Sequence, residues 1–278
     1  MTPVDPGRAA LVVAGMVLLG WIGAWVLAGI LRLALPLGER FVEGQLTRRG
    51  STRAQKLASL TRDFVEAAVI GAAAAGGSGV LTVLAGLSLG GQFSVTALSE
   101  LRGPWMVAAV LGTWTANAAA VATAVRLGTR LALGWPGWRL MLLAPAVAVG
   151  VVAGVVGWSL LLQAMGVQAE AQGLAEALAS AIGWQRVLLV TYVLVGAPAV
   201  EECLFRGWLQ PLFARRFSAG IAIFLQALCF GMLHLDRLWA IPPIVLIGAG
   251  CGWLRHRSGS LFPGFVLHAI NNGLALLA

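Results

Sequence analysis

The chain of 278 residues is 59% hydrophobic and 11% charged, with 19 Lys and Arg against 11 Asp and Glu and a net charge of +8. Soluble domains carry about 25% charged residues, so a core of this size would lack a water-facing shell. A soluble enzyme, a disordered chain and a nucleic-acid-binding domain are thereby excluded. A mean hydropathy of +0.87 fits an all-α polytopic membrane protein.

A helix needs about 17–25 apolar residues to cross a bilayer, and eight such runs follow in chain order. They are Ala9–Leu31, Phe64–Leu89, Trp105–Val125, Leu140–Leu162, Val187–Phe205, Ser218–Leu235, Leu238–Leu254 and Leu261–Ala278. The connections between them are too short for a second soluble domain, so residues 1–278 read as a single integral membrane domain. The first run is too long for the apolar part of a signal peptide and no clear small-residue cleavage site follows it. It is expected to be a true span.

Basic residues set the expected orientation. Fifteen of the nineteen fall in alternate connections: seven between Arg32 and Arg62, then Arg126, Arg130 and Arg139, then Arg206, Arg215 and Arg216, then Arg255 and Arg257. Short loops rich in Arg and Lys stay cytoplasmic, which puts both termini outside a cell membrane. The Ala-, Gly- and Arg-rich composition is compatible with a bacterial one. The same charges favour acidic lipid headgroups.

Two amphipathic stretches are expected to lie in the headgroup plane. One carries Leu57, Leu60 and Phe64 in the first basic loop, the other Leu174, Leu178 and Ile182 on the opposite side. Gly150/Gly154 and Gly248/Gly252 are spaced to let helices approach closely. Cys203, Cys229 and Cys251 fall inside spans without CxxC spacing and read as small buried hydrophobes.

An ionisable group at mid-membrane depth costs about 2.5–3.5 kcal/mol on insertion scales and marks a functional site by default. Such groups cluster late in this chain. Glu202 and Arg206 are four residues apart and share a helix face, as a structural pair, while Glu201 points away with no partner on its own helix. Gln226, Phe230 and His234 form one stripe, and His268 and Asn272 another. Counted at 1.5 Å per residue, these groups fall in one layer about 12 Å thick. Pro198 removes a helical hydrogen bond just before Glu201 and should kink the helix there.

The charges leave Glu201 an uncompensated anion in a low dielectric. It can be protonated, share a proton with His234, or bind a metal. Glu201 and His234 around one water would make a general-base pair. His268 and Asn272 would offer donors where an oxyanion forms. Together they could hydrolyse an amide bond inside a membrane. Gln226 reads as a residue supporting the His234 stripe. Glu201, His234 and His268 also make a possible zinc set with one open position.

Three spaced motifs collect these residues: EExxxR at Glu201–Arg206, FxxxH at Phe230–His234 and HxxxN at His268–Asn272. In this order on successive late helices, the chain resembles the CPBP (Abi) family of intramembrane proteases, which includes the type II CAAX prenyl proteases. The resemblance covers about 187–278. It implies Glu201 as catalytic base, His234 beside it on the water, His268 and Asn272 as oxyanion donors, and Glu202–Arg206 as a structural pair. The implied activity is cleavage of a membrane-associated or lipidated protein or peptide, with membrane lipids as surroundings and no nucleic-acid partner. A metal-free glutamate mechanism is favoured over a zinc-dependent one. Two other classes stay open: a proton- or ion-coupled transporter, and a non-catalytic immunity or partner-binding protein. The confinement of the polar cluster to the second half counts against the transporter, whose broken helices come in corresponding halves.

Overall fold

The computed structural model describes residues 5–46, 52–90, 104–167, 173–234 and 238–277, and all regular structure among them is helical. The chain divides into two compact units, Met1–Phe93 with Ala108–Thr129, and Ser94–Val107 with Arg130–Ala278. The first unit holds α1 (Pro6–Leu46), α2 (Thr52–Ser88) and most of α3 (Pro104–Arg126). The second holds α4 (Trp138–Met141), α5 (Leu143–Ala164), α6 (Gly173–Ser180), α7 (Trp184–Ala214), α8 (Ala219–Met232), α9 (Ile241–Ser258, entered through a 3-10 turn at Leu238–Ala240) and α10 (Phe262–Leu277).

Among the described residues, six helices are long and apolar enough to cross a membrane. The sixth and eighth expected spans are the shorter apolar helices α8 and α10, of 14 and 16 residues. At 1.5 Å per residue these extend only about 21 and 24 Å. Each of the eight apolar runs thus falls on a helix, but two of those helices fall short of a full crossing.

The first expected in-plane helix is not a separate element, and the second is shorter than its spacing suggests. Leu60 and Phe64 sit within α2, which runs unbroken from Thr52 to Ser88. No Pro or Gly interrupts the sequence from Thr52 to Ile70, so nothing ends one helix and starts another. On the other side, α6 closes at Ser180, and Gly183 at φ +55 separates it from α7. Ile182 therefore lies outside α6 and is exposed.

In the second unit, α5, α9 and α10 share a core of Ala144, Ala148, Val151, Ile247, Cys251, Leu254 and Leu267. Small residues set its tightness. A Cβ on Gly248 would stand 3.1 Å from Ala227 of α8 and 3.3 Å from the Phe230 ring. The Gly248/Gly252 pair is thus a close-approach seam, as its spacing suggests. The Gly150/Gly154 pair works at one position only, since Gly154 faces Leu246 while Gly150 faces open space.

The most irregular helix is α7. Two π-helical segments, Tyr192–Gly196 and Glu202–Leu209, flank the α-turn Ala197–Glu201. Pro198 lacks the N–H that would bond to Leu194, and the widened segment before it absorbs that loss. π-Turns in α-helices are frequent at functional sites. Here they bracket the two adjacent glutamates.

Candidate active site

Glu201 ends the short α-turn and Glu202 starts the second π-segment, so the two carboxylates leave α7 in different directions. Glu202 points inward and is 1% exposed. Its Oε1 accepts a hydrogen bond from Arg206 Nη1 at 2.9 Å and faces His268 Nδ1 of α10 at 3.1 Å. Arg206, fully buried, also donates through Nη2 to the Gly248 carbonyl at 3.0 Å. That carbonyl accepts a second bond from Gln226 Nε2 of α8 at 2.9 Å. An internal anion, its cation and an imidazole are thereby tied to three other helices.

The expectation for Glu202 is therefore extended. It forms the ion pair with Arg206, and it also fixes the ring of His268. The other ring nitrogen, His268 Nε2, lies 3.6 Å from Glu201 Oε2. Glu201 has no partner on its own helix, as its angular position suggests, but it finds one on α10. His268 bridges the two carboxylates.

Phe230 organises the aromatic side. Its ring centroid lies 5.1 Å from that of Phe205, 5.6 Å from His268 and 5.9 Å from His234, all edge-on, with Arg206 Cζ 4.7 Å over its face. Edge-to-face packing turns positive ring edges towards the negative face, and the guanidinium adds a cation–π contact. His234, two residues past the end of α8, is thus held across Phe230 from His268. It lies within electrostatic reach of Glu201. Its Nδ1 is buried and has no hydrogen-bond partner among the described residues.

Asn272, one turn beyond His268, donates through Nδ2 to the Val193 carbonyl at 2.9 Å. Val193 belongs to the first π-segment of α7, where an i→i+5 ladder replaces the regular one. One amide hydrogen of Asn272 is thereby committed to α7. The other is not placed by that bond.

Glu201, Glu202 and Arg206 sum to −1, an excess of charge that is costly in a low dielectric. A carboxylate 3.6 Å from an imidazole nitrogen has the geometry to accept a proton from water beside a donor to a developing negative charge.

A zinc site needs its donors around one point. Among the described residues no group of three or more His, Cys, Asp or Glu side chains is placed to hold a metal ion. Glu201, His234 and His268 are not such a group among the described residues.

Three contributors were not singled out from sequence. The Gly264 position is one: a Cβ there would stand 2.8 Å from Glu202 Oε2. A glycine four residues before His268 on the same face is the available signal. The Gly248 carbonyl is the second, invisible because backbone acceptors carry no side-chain mark. Tyr192, the only tyrosine in the chain, is within electrostatic reach of Glu201, and only its singularity in the composition points to it.

Residues 183–274 match the family model described as "Type II CAAX prenyl endopeptidase Rce1-like". The match spans all three motifs and helices α7 to α10 up to Leu274. No curated protein and no solved structure matches the chain.

Proposed function

We propose, from the Rce1-like CAAX endopeptidase domain carried by residues 183–274, that this membrane protein hydrolyses a peptide bond of a membrane-associated or lipidated protein through Glu201. The observation that supports this reading most directly is the His268 bridge between Glu201 and Glu202. It couples an unpaired carboxylate to an imidazole held in one orientation.

Water enters between Glu201 and His234, whose buried Nδ1 is free to hold it among the described residues. Glu201 withdraws the water's proton as the oxygen attacks the scissile carbonyl. His268, sharing that proton through Nε2, and the remaining amide hydrogen of Asn272 face the oxyanion. The proton then passes to the leaving amine and Glu201 returns to its starting state. Glu202 and Arg206 take no proton. They hold His268 in place.

A positioned general base contributes about 10²–10⁴-fold. Glu201→Gln and His234→Ala are each expected to lower cleavage of a membrane-associated substrate at least a hundredfold. Yield and unfolding midpoint in detergent should stay near those of the parent protein. Retained cleavage in either variant refutes the assignment. Proton flux lost in the variants, with cleavage absent from the parent as well, would favour the transporter.

A further inference from the structure

Helix α9 carries none of the three motifs, yet polar bonds from α7 and α8 converge on it. Gln210 of α7, one turn past Arg206, donates through Nε2 to the Gly252 carbonyl at 3.0 Å. Arg206 reaches the Gly248 carbonyl, one turn earlier on α9, also at 3.0 Å. Both pairs are 42 residues apart, so α7 and α9 run parallel in one register over two successive turns. From α8, Gln226 donates to the same Gly248 carbonyl at 2.9 Å and to the Ile223 carbonyl of its own helix at 3.0 Å. All three side chains are buried.

Glycine at the two α9 positions is what admits these donors. A Cβ on Gly252 would stand 2.5 Å from Gln226 Nε2 and 3.2 Å from Gln210 Oε1, so the two amides occupy the space a side chain would need. Because the acceptors are backbone carbonyls, each amide must turn its nitrogen towards α9. Apolar contacts between helices have no hydrophobic drive inside a membrane, so close packing and interhelical hydrogen bonds decide how the helices seat. One bond lets a helix pivot about it, whereas two bonds a turn apart hold α7 against both pivoting and sliding. The Gln226 amide, anchored on Ile223 as well, fixes the face that α8 turns to α9.

The two glutamines lie on the helices that carry the groups assigned to the water. Gln210 is nine residues from Glu201, and Gln226 eight from His234, about 12–13 Å along each helix. Over that length a tilt of about 5° moves a side chain about 1 Å, enough to cost about a hundredfold in rate.

We propose that Gln210 and Gln226 are positioning residues for the Glu201–His234 pair, holding the base on α7 and the imidazole on α8 in mutual register through the Gly248 and Gly252 carbonyls of α9. The catalytic consequence rests on the hydrolase reading above; the register does not.

Gln210→Met, Gln226→Met and the double variant keep side-chain length and lose the donor. Each is made in the full chain, purified in mild detergent and assayed on a quenched fluorescent peptide ending in a prenylated CAAX sequence. Each single variant is expected to lower kcat at least about tenfold, with KM within about twofold of the parent's. The double variant should fall within about twofold of the poorer single, because residues acting on one alignment do not add. The second readout is ¹⁵N NMR of labelled histidine. The chain has three histidines, and His256, exposed near the end of α9, serves as reference. The His234 and His268 signals are expected to move in both single variants while that of His256 stays. Should either variant fail to fold, the other decides. Parental kcat in the single variants beside an inactive Glu201→Gln, losses that multiply in the double variant, or unmoved His234 and His268 signals overturn the proposal. A parent protein that leaves the peptide intact counts against the hydrolase reading, and the histidine signals alone then decide the register.

Discussion

Glu202 accepts from Arg206 and faces His268 with the same oxygen, so the fate of one buried carboxylate decides both stability and geometry. Removing its cation leaves an uncompensated internal charge, which costs about 3–5 kcal/mol. Arg206→Met is expected to destabilise the protein by that order, read as a lowered midpoint of chemical unfolding in detergent. Glu202→Gln in the same chain should restore a large part of the loss, since the pair is then absent as a unit. Gly264 tests position in place of charge. A methyl group there would collide with Glu202 Oε2 at 2.8 Å, and a displacement of about 1 Å can cost a hundredfold in rate. Gly264→Ala is expected to lower kcat at least tenfold with little change in the unfolding midpoint. Unchanged kcat would mean that Glu202 does not set His268. At this scale the sequence was informative about identity and less so about partners. Helical spacing places Glu202 beside Arg206 and leaves Glu201 unpaired on its helix. It cannot show that His268 of α10 inserts between them, because that depends on how closely two helices approach.

Among the helices, α7 carries the most information and the most surprise. It continues past the apolar run Val187–Phe205 to Ala214. Its two π-segments do not follow from composition, because an apolar run reports length and not the number of residues per turn. Pro198 is the one local hint, and the expected kink is replaced by widening at Tyr192–Gly196. Widening frees the Val193 carbonyl to receive Asn272, so one proline is linked to the placement of a residue 74 positions away. Pro198→Ala restores the missing N–H and favours a regular helix. Cleavage is expected to fall about tenfold while the unfolding midpoint holds or rises, by up to about 1 kcal/mol, the scale of one hydrogen bond. Parental activity in this variant would detach the widened turn from catalysis. The in-plane helix expected before α2 failed for a similar reason: amphipathic spacing describes a face, whereas only a breaker ends a helix.

For the molecule as a whole, charge gives an orientation that geometry alone does not. With Arg206 set aside as buried in α7, fourteen of the nineteen basic residues fall in the alternate connections read from the sequence and predict that 127–137 faces the cytoplasm and that the amino terminus lies outside. A cysteine introduced at Gly134 of a chain with Cys203, Cys229 and Cys251 replaced should react with an impermeant maleimide only after permeabilisation. One at Thr2 should react in intact cells. The reverse pattern would invert the topology. The helical, membrane-spanning architecture was readable because hydrophobic length is a one-dimensional property. The division into two units was not, since it lies in packing: α3 belongs partly to each.

The backbone at 130–137 also joins the motif-bearing unit directly, for Leu261 N–H donates to the Ala132 carbonyl at 2.9 Å and Leu131 fills the space beside Gly207. Ala144, Ala148 and Val151 then wall one side of the core beneath Cys251 and Leu267. Homology and autonomy therefore have different borders in this protein. A fragment cut at the edge of the recognisable domain would keep every residue of the three motifs, yet strip the buttress from the two helices that deliver Gly248 and His268.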